Sequence, residues 1–471
     1  MTSHPSGWRR TTIGELATVV RGASPRPKGD PRYFGGPIPW IAISDVTRQP
    51  GRLLTRTAEG VTPEGAQRSR LLPVGTLILT NSGTVGVPKV LGVEGCIHDG
   101  FVAFQGLSPE VDREFLYEFF RWQRPLLIEK HRQGVTQVNL NTEIVRNIEI
   151  TLPPLDVQRR IVAKLDALLA QSRAAREQLE AVPALVETYR HSVLAAAFRG
   201  DLTADWRKKN PNVEPASNLL ERIRLERRSA WEAAELAKMT AKGKPPKDDK
   251  WKSKYVEPKS PSGSDLALPK AWCVEHLEAL CEPERGIPYG IVQTGEPVEN
   301  GVPTVRCGDI KNFDIDVKAL KLVSPRVDAQ YPRTRLSGGE VLLAIRGSVG
   351  EVAVAGASLE GANISREVAM IPTLEGVDPR FLMYFLKSPL AQAALFRHVK
   401  GVAQQGINLA DLRTLPMPLA SLEEQRELVA RVETQLSRAS QAARNTTETD
   451  SVFAEMDRGI LARAFRGELA A

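Results

Sequence analysis

The chain has 471 residues, 42% of them hydrophobic and 25% charged, with four cysteines and a net charge of +7. This length predicts about three domains with packed cores. The chain shows no long apolar run, no signal-type N-terminus and no CxxC spacing, which excludes a membrane protein and a disulfide-rich secreted protein and predicts a cytoplasmic one.

The positive charge permits a nucleic-acid partner, but it is unevenly placed. Residues 201–265 hold 15 Lys or Arg against 11 Asp or Glu, which puts +4 of the total there and only +3 in the remaining chain. A DNA-binding surface elsewhere must therefore be a local basic patch.

Residues 1–155 are predicted to form a first globular domain. Short apolar runs, such as residues 77–79, alternate with Gly and Pro, a pattern typical of strands. Large apolar residues at one-face spacing then predict a helix over residues 113–129. A Pro-Pro pair at 153–154 ends the domain just before a long helical stretch.

Residues 156–200 are predicted to form one long helix. From Ile161 to Val193, apolar or small residues recur in steps of four and three. This spacing is the heptad seam of a helix that pairs with another helix. About forty residues of helix span roughly 60 Å.

Residues 201–265 form a charged insert without a second copy in the chain. A highly charged helix is predicted over residues 216–240 and a solvated linker over residues 242–254. One interpretation is an arm that docks a partner subunit or contacts phosphates. The other is a plain tether between the two halves, and we expect a tether with a docking segment at residues 219–236.

Residues 266–422 are predicted to form a second globular domain that repeats the plan of the first. Trp272 matches Trp8, Asp309 matches Asp45, and the helix with Phe-Leu-x-Tyr is repeated. The two domains have diverged more than the helices that follow them. We therefore expect two related tasks with different targets.

The last segment, residues 423–471, repeats the first long helix. Gln425 follows Gln158 by 267 residues, and Phe465 follows Phe198 by the same distance, within the repeated sequence Ala-Phe-Arg-Gly. Polar residues occupy the middle of this second seam. Because seam and repeat agree, we expect the two helices to pair; the alternative is two ordinary core helices in unrelated domains.

No catalytic or metal motif is found in the sequence. It lacks GxxxxGK[ST], HExxH, clustered His or Cys, and the Asn/Asp-Pro-Pro-aromatic segment of amino-methyltransferases. We therefore predict a binding protein with no catalytic residues and no bound metal.

Two Gly-rich turns at matching places in the domains are candidate DNA contacts. Glycine allows close backbone approach, and successive amides, hydroxyls and an arginine suit a phosphate. The alternative is a plain hairpin turn. The candidates are Asn81, Ser82, Gly83 and Thr84 in the first domain and Arg346, Gly347 and Ser348 in the second.

Two amide-rich segments, also at matching places, are candidates for base contacts. Gln and Asn can pair bidentately with adenine, although such a loop could equally cap neighbouring elements. The candidates are Gln133, Thr136 and Gln137 in the first domain and Gln404, Gln405 and Asn408 in the second.

The order of domain, Pro-Leu-x-x-Gln, long helix and Ala-Phe-Arg-Gly-[Asp/Glu]-Leu, written twice, resembles the specificity subunit of type I restriction–modification systems. The resemblance covers residues 8–200 and 266–469, and its most specific marks are the helix starts at 155–158 and 422–425 and the two Phe-Arg-Gly ends. Val157 departs from the pattern, since Glu is usual there.

The resemblance implies an α+β fold with two target-recognition domains, joined by an antiparallel coiled coil and related by pseudo-two-fold symmetry. Each domain would read half of a bipartite, asymmetric double-stranded DNA site in the major groove, and the coiled coil would set the gap. Two modification (methyltransferase) subunits and the restriction (nuclease–translocase) subunits would be partners. S-adenosylmethionine, ATP and Mg²⁺ would bind those partners, and the chain itself would hold no cofactor.

The helix ends are candidate sites of subunit docking, namely Phe198, Arg199, Phe465 and Arg466. Packing within the domains is the alternative for these residues. A different function, that of a stand-alone bipartite DNA-binding regulator or scaffold, also fits the duplication. A self-contained restriction enzyme is disfavoured because methyltransferase motifs are missing.

Overall fold

In a computed structural model of the chain, residues 7–131, 140–261, 267–396 and 406–470 are described. They divide into two compact units, Met1–Ala181 with Thr446–Ala471, and Val182–Asn445. Each unit therefore combines one globular domain with helical segments from both halves of the chain. The predicted α+β class with long helices is confirmed. The predicted boundaries set the long helices apart as separate segments, whereas here each unit includes part of both.

The first unit begins with short strands and helices. Its strands are β1 (Arg9–Thr12), β2 (Thr18–Arg21), β3 (Phe34–Ile41), β4 (Leu53–Leu54), β5 (Glu59–Val61), β6 (Arg70–Leu72), β7 (Leu77–Thr80), β8 (Pro88–Leu91), β9 (Gly95–Ile97), β10 (Phe101–Gln105) and β11 (Glu149–Leu152). Its helices are α1 (Ile13–Leu16), α2 (Ile43–Arg48), α3 (Pro63–Gln67), α4 (Arg113–His131), α5 (Thr142–Arg146) and α6 (Leu155–Glu180).

The strands of the first unit form sheets ordered β2-β10-β7-β8-β4, β5-β3-β9-β6 and β1-β11. Side chains alternate across β7: Leu77 and Leu79 pack into a core with α4, and Ile78 packs into a second core on the opposite face. Because both faces are covered, the strand is buried along its whole length.

The second unit contains the charged insert and the second domain. Its helices are α7 (Val182–Arg199), α8 (Ala204–Lys209), α9 (Ala216–Ala241), α10 (Pro325–Asp328), α11 (Pro379–Lys387), α12 (Pro389–Phe396), α13 (Leu409–Arg413) and the beginning of α14 (Leu422–Phe465), with 3₁₀ turns at Asp249–Lys254, Leu277–Leu280, Cys307–Asp309, Pro332–Thr334 and Ala357–Leu359. Its strands are β12 (Cys273–His276), β13 (Val302–Val305), β14 (Ile310–Lys311), β15 (Asp314–Ile315), β16 (Lys321–Val323), β17 (Val341–Ala344), β18 (Val352–Val354), β19 (Asn363–Ile364), β20 (Val368–Ile371) and β21 (Pro416–Leu419).

The second unit repeats the sheet plan, with the orders β18-β17-β20, β16-β13-β19, β14-β15 and β12-β21. Leu342 pairs with Ala353 across β17 and β18, as Ile78 pairs with Lys89 across β7 and β8. This strand register shows which residues of the two domains correspond, even where their side chains differ.

The stretch predicted as one helix over residues 156–200 is divided at Ala181, between α6 and α7. Pro183 explains the division, since proline has no amide to donate to the Leu179 carbonyl and its ring crowds that carbonyl. The border between the two units falls at the same point.

Helices run antiparallel within each unit. In the first, Arg160 donates to the Ala470 carbonyl (3.4 Å) and Arg176 donates to Asp457 (2.6 Å). In the second, Arg190 donates to Ser440 (3.0 Å), and Arg431 to the Leu202 carbonyl (2.8 Å). As one segment advances, its partner's numbers fall.

The predicted seam holds only in part. Ile161, Leu165 and Ser172 are buried as expected, but Leu168 is 45% exposed and its neighbour Leu169 is buried instead. The buried residues of α6 are therefore 158, 161, 162, 165, 169 and 172, and the stripe departs from the predicted seam at 168, where 169 is buried instead.

The repeated glutamine fastens the start of each long helix to its domain. Gln158 accepts from the Asp112 amide (2.7 Å) and donates to the carbonyls of Glu110 and Pro153 (2.8 Å each). Gln425 makes the same three kinds of bond, with the Asp378 amide and the carbonyls of Gly376 and Ala420. A buried amide side chain with all these bonds satisfied explains why Gln occurs at both places.

The insert packs mainly on its own unit. Leu219 and Ile223 of α9 are buried in the core of the second domain, and Arg224 donates to the buried Glu275 (2.5 Å). The segment predicted as a solvated linker includes the 3₁₀ turn at Asp249–Lys254, where Trp251 stacks on Trp231 (6.0 Å between centroids).

Val157 and Glu424 occupy matching places at the two helix starts. Glu424 is buried and accepts hydrogen bonds from Thr203 (2.6 Å) and Trp272 (2.9 Å), and it also pairs with Arg207. Two of these partners, Thr203 and Arg207, belong to the insert, so Glu424 holds the beginning of the insert against the start of α14. Val157 packs instead against the apolar core of the first unit.

Candidate nucleic-acid interface

The Gly-rich turn between β7 and β8, residues 80–86, is called the first turn. The Gly86 amide donates to the Thr80 carbonyl (2.8 Å), and the Val87 amide donates to the Thr80 hydroxyl (2.8 Å). Gly83 and Gly86 have φ values of +67° and +75°, which favour glycine. The turn is therefore closed by its own strand ends.

The four predicted contact residues of the first turn differ in exposure. Asn81 is buried, Ser82 and Thr84 are half-buried, and Gly83 is exposed. The Asn81 amide donates to the Gly100 carbonyl (2.8 Å), so this residue forms the base of the turn. Only the remaining three are placed at the surface, where a phosphate could approach their amides.

The matching turn between β17 and β18, residues 344–350, is called the second turn. The Gly350 amide donates to the Ala344 carbonyl (2.9 Å), and Gly347 has a φ of +71°. Arg346, Gly347 and Ser348 are all exposed. Backbone geometry is thus shared, while the second turn presents a cation that the first turn lacks.

The amide-rich segments lie largely outside the described residues, so Gln133, Thr136, Gln137, Gln404 and Gln405 have no described position. The chain that follows each segment is described, and it returns to the Gly-rich turn. The Leu140 amide donates to the Asn81 carbonyl (2.9 Å), and the Ile407 amide donates to the Ile345 carbonyl (2.9 Å). In both domains, therefore, the described chain after the amide-rich segment is hydrogen-bonded to the Gly-rich turn.

Asn408 is exposed at the start of α13, and its side-chain oxygen accepts from the Ala410 amide (3.0 Å). Asn141 caps α5 in the same way through the Ile144 amide (2.8 Å). The capping interpretation therefore holds for Asn408. Its contact with adenine stays a prediction. A bidentate contact would use the Asn408 side-chain oxygen, which already accepts from the Ala410 amide.

The second turn forms one wall of a cleft of about 840 Å³ within the second domain. Arg346, Arg366 and Tyr289 line this cleft together with Asn408. Both arginines and the tyrosine are exposed. Guanidinium groups and an aromatic ring around an open cleft suit phosphates and bases.

A half-buried hydrogen bond adjoins this cleft. The Cys307 thiol donates to Glu367 (3.2 Å), which also lines the cleft. Burial raises the pKa of the Cys307 thiol, and the adjoining Glu367 raises it further, so the thiol keeps its proton. Cys307 thus acts as a hydrogen-bond donor rather than as a nucleophile.

The matching place in the first domain has different charges. The backbone amide of Asn81 donates to the Gly100 carbonyl, and the backbone amide of Ile345 donates to the Glu367 carbonyl, so Gly100 and Glu367 correspond. The residues just before them therefore correspond too, and Asp99 lies where the second domain has Arg366. Three exposed cations lie at this place: Arg21 and Arg26 are beside Asp99, and Lys28 is beside the neighbouring His98.

Burial works to raise the pKa of Asp99, but the Ser24 hydrogen bond (2.8 Å), His98 and the two arginines outweigh it and lower that pKa. The carboxylate is therefore charged at neutral pH. Burial lowers the pKa of His98, with help from Lys28 and Arg26. Since Nδ1 of His98 accepts from the Gly100 amide (2.9 Å), the neutral ring carries its proton on Nε2.

The phenylalanines predicted for subunit docking pack inside their own units. Phe198 is 1% exposed and contacts Phe381 (5.2 Å) and Phe385 (5.4 Å). Phe465 is 5% exposed and stacks on Trp122 (5.1 Å). The docking prediction for both is corrected to domain packing, because a buried ring cannot meet a partner.

The arginines of the same motif are exposed and pair with the acidic residue after the glycine. Arg199 donates to Asp201 (2.9 Å) and Arg466 donates to Glu468 (2.7 Å). The glycine between them has positive φ in both copies and ends the helix. The motif thus combines a buried ring, a helix stop and an exposed ion pair.

In the described ranges, no group of three or more His, Cys, Asp or Glu is placed to hold a metal ion. None of the helices in those ranges is long and apolar enough to cross a membrane.

Sequence reasoning missed Tyr289, Arg366 and the three cations near His98 and Asp99. Arg366 lies two residues before β20, and Tyr289 follows a proline, but no spacing marks either residue. The basic run Arg21, Arg26 and Lys28 was visible as charge, and only the fold brings it beside the first turn.

The sequence model of a known family, described as the type I restriction modification DNA specificity domain, matches residues 5–183 and 300–445. The type I restriction enzyme EcoBI specificity subunit of Escherichia coli is 29% identical over 345 residues, which span 73% of this chain and 63% of that protein. The EcoKI specificity subunit of Escherichia coli strain K12 is 24% identical over 484 residues, covering 99% of this chain and 90% of that protein.

Two solved structures share the fold. A chain from a structure of the assembly and conformational transition of the type I R-M system aligns with a TM-score of 0.61 at 19% identity, over 99% of both chains. The HsdS subunit of Thermoanaerobacter tengcongensis aligns with a TM-score of 0.50 at 20% identity, over 99% of this chain and 98% of that one.

Proposed function

Because this chain belongs to the family of type I restriction modification DNA specificity domains, we propose that each of its globular domains reads one half of a bipartite DNA site. The chain is a specificity subunit, and its function is DNA target recognition. The two halves of the site differ because the two domains present different side chains.

One observation carries this proposal. In both domains the chain leaving the amide-rich segment is hydrogen-bonded to a Gly-rich turn of the same geometry. Around that shared backbone, Arg346 and Arg366 stand in the second domain, and Asp99 with Arg21 and Arg26 stands in the first. A common backbone with different charged groups is what two related half-sites require.

Catalysis is proposed to belong to partner subunits in the cytoplasm. Modification subunits would methylate adenine with S-adenosylmethionine, and restriction subunits would cleave DNA with ATP and Mg²⁺. This chain would bind none of these as a cofactor. Arg199 and Arg466, which are exposed at the helix ends, are proposed contacts for two modification subunits.

Deleting the gene tests the function directly. Long-read sequencing of the host genome should show a bipartite methylated motif that disappears in the deletion strain. An unchanged methylome would reject the proposal. The purified chain incubated alone with DNA, S-adenosylmethionine, ATP and Mg²⁺ should give no product, and any product would reject the assignment of catalysis to partners.

The long helices are proposed to set the gap between the two half-sites. Inserting one heptad into α6 and one into the facing part of α14 should lengthen the gap and leave both half-site sequences unchanged. The methylated motif again provides the measurement. A change in the half-site sequences would show that the helices do not act as a spacer.

A further inference from the structure

A second basic site lies in the first unit, beside the first turn. A pocket of about 650 Å³ opens between the segment 46–51, the helix α4 and the end of α14. We call it the basic pocket. Its volume is that of a small-molecule site.

The basic pocket is lined by more cations than carboxylates. Its cations are Lys89, Arg121, Arg124, Arg176 and Arg458, and its carboxylate is Asp457. Arg176 pairs with Asp457 (2.6 Å) and Asp450 (3.0 Å), and Arg121 pairs with Glu118 (2.7 Å). Lys89 and Arg124 donate hydrogen bonds to backbone carbonyls instead, so no carboxylate neutralises their positive charges there.

Lys89 shows how strongly the pocket is charged. It is 4% exposed, and its ammonium group donates to the carbonyls of Gln49 and Gly51. Burial lowers the pKa of Lys89, and the positive charge of Arg121 lowers it further. Neighbouring cations repel each other, and a bound anion would stabilise their charged forms.

Asp457 supplies a second, independent observation. Its side chain is 8% exposed, one carboxylate oxygen accepts from Arg176, and the other oxygen is buried with no hydrogen-bond partner among the described residues. A buried carboxylate oxygen without a donor is costly. A hydroxyl on a ligand would supply that donor.

The second domain provides an internal comparison. The residue matching Lys89 in strand register is Ala353, and the residue contacting Gly350, as Arg124 contacts Gly86, is Gln392. The corresponding space has a volume of only about 240 Å³ and is lined by Phe313 and Tyr384. Duplication therefore preserved the place, but among the described residues five cations line it in the first unit, whereas Arg190, together with Glu433, lines it in the second.

We propose that the basic pocket of the first unit binds a phosphate-bearing anion, with phosphate oxygens on the arginines and a hydroxyl on Asp457. The phosphate could come from a free nucleotide or from the backbone of DNA. A free nucleotide also offers the ribose hydroxyls that suit Asp457.

The pocket also adjoins the first turn. Arg124 donates through Nε to the Val85 carbonyl (3.0 Å), and its side chain contacts Gly86. An anion on the other nitrogens of this guanidinium would hold Arg124, and with it the turn, in one position. Anion binding in the basic pocket would thus change the mobility of the first turn, which is a candidate DNA contact.

Titration of the purified full-length chain with inorganic pyrophosphate and with ATP tests the proposal. We expect saturable binding that is weakened about tenfold or more in the variant Arg121→Gln/Arg458→Gln, since the variant removes two charged hydrogen-bond donors to the phosphate. The matched control is Arg190→Gln/Arg438→Gln, which removes two charges from the second unit and should leave binding unchanged. Absence of saturable binding to the unaltered chain, or equal weakening by the control, would overturn the proposal.

The source of the phosphate is resolved with DNA. If the pocket holds the DNA backbone, Arg121→Gln/Arg458→Gln should lower the salt dependence of DNA binding by about two phosphate contacts. If it holds a free nucleotide, that slope should be unchanged while pyrophosphate binding is lost. Neither measurement depends on the methylated motif. The proposal of an anion-binding pocket can therefore be rejected while the proposed specificity function is supported, or the reverse.

Discussion

The two units solve the same packing problem with different chemistry where each domain meets its helices. In the first, Arg52 lies over the Tyr117 ring (5.2 Å) and pairs with Glu114, Glu118 and Asp166. In the second, Phe313 lies against the Tyr384 ring (5.1 Å). One junction is an ion cluster and the other is aromatic.

What the two junctions share is backbone geometry. The glutamine at each helix start and the glycine at each helix end make the same bonds in both units. A duplicated backbone therefore tolerates exchange of a charged layer for an aromatic one. The charged layer leaves a basic pocket beside it, whereas the aromatic layer fills the corresponding space.

The largest expected effect is that of Arg52→Ala compared with Phe313→Ala. Removing Arg52 breaks its pairs with three carboxylates, of which the buried Glu118 then keeps only Arg121, and should cost about 3 kcal/mol. Phe313 is half-buried, so its loss should cost about 2 kcal/mol. Native-state hydrogen exchange of β7 and of β17 reports each unit separately.

Arg52→Ala should speed exchange in β7 and leave β17 unchanged, and Phe313→Ala should do the reverse. Equal effects of both variants on both strands would contradict the description of two separate units.

The next effect should be equal on both sides. Gln158→Ala and Gln425→Ala each remove three hydrogen bonds and leave a half-buried backbone amide, that of Asp112 or Asp378, without its acceptor, at a cost of about 3 kcal/mol. The same exchange measurement should give similar losses in the two units. A loss in one unit only would show that the second glutamine is not part of a common backbone.

A smaller difference is expected between the two turns. Gly83→Ala and Gly347→Ala both place alanine at positive φ, which costs about 1 kcal/mol. A Cβ at 347 would also lie 2.6 Å from the Cys307 sulfur, whereas a Cβ at 83 would only touch Ile43 at 3.5 Å. DNA affinity should therefore fall more for Gly347→Ala, and an equal fall would remove the Cys307 contact from the explanation.

The smallest effect concerns an ion pair of the second unit. Arg431 lowers the pKa of Asp205 to about 2, so the stabilisation is present above the ordinary carboxyl pKa and is lost as the pH falls from about 4 to about 2. The stability difference between the unaltered chain and Asp205→Asn should shrink over that range. A difference that stays constant in acid unfolding would contradict the pairing.

Sequence reasoning predicted the elements that repeat, because the repeat itself is a signal. The helix starts at Gln158 and Gln425 and the two Gly-rich turns were found in this way. The division at Ala181 could have been predicted from Pro183. The shift of burial from Leu168 to Leu169 could not, since both are leucines and only packing decides between them.

The basic pocket and the cleft were not predictable because their residues come from distant segments. Lys89, Arg121 and Arg458 share a pocket only once strand, helix and C-terminal helix are packed together. For Phe198, the motif was visible but its burial was not. A conspicuous phenylalanine in a repeat can equally mark a core or a partner surface, and Phe381 and Phe385 decide the matter.

The most direct test of bipartite reading changes one domain and examines both half-sites. In a host carrying the partner subunits, Arg346→Ala/Arg366→Ala alters only the cleft of the second domain. Long-read sequencing should then show methylation that is weaker or less selective in one half of the motif, with the other half and the gap unchanged. If both halves changed alike, or if neither did, the assignment of one half-site to each domain would be contradicted.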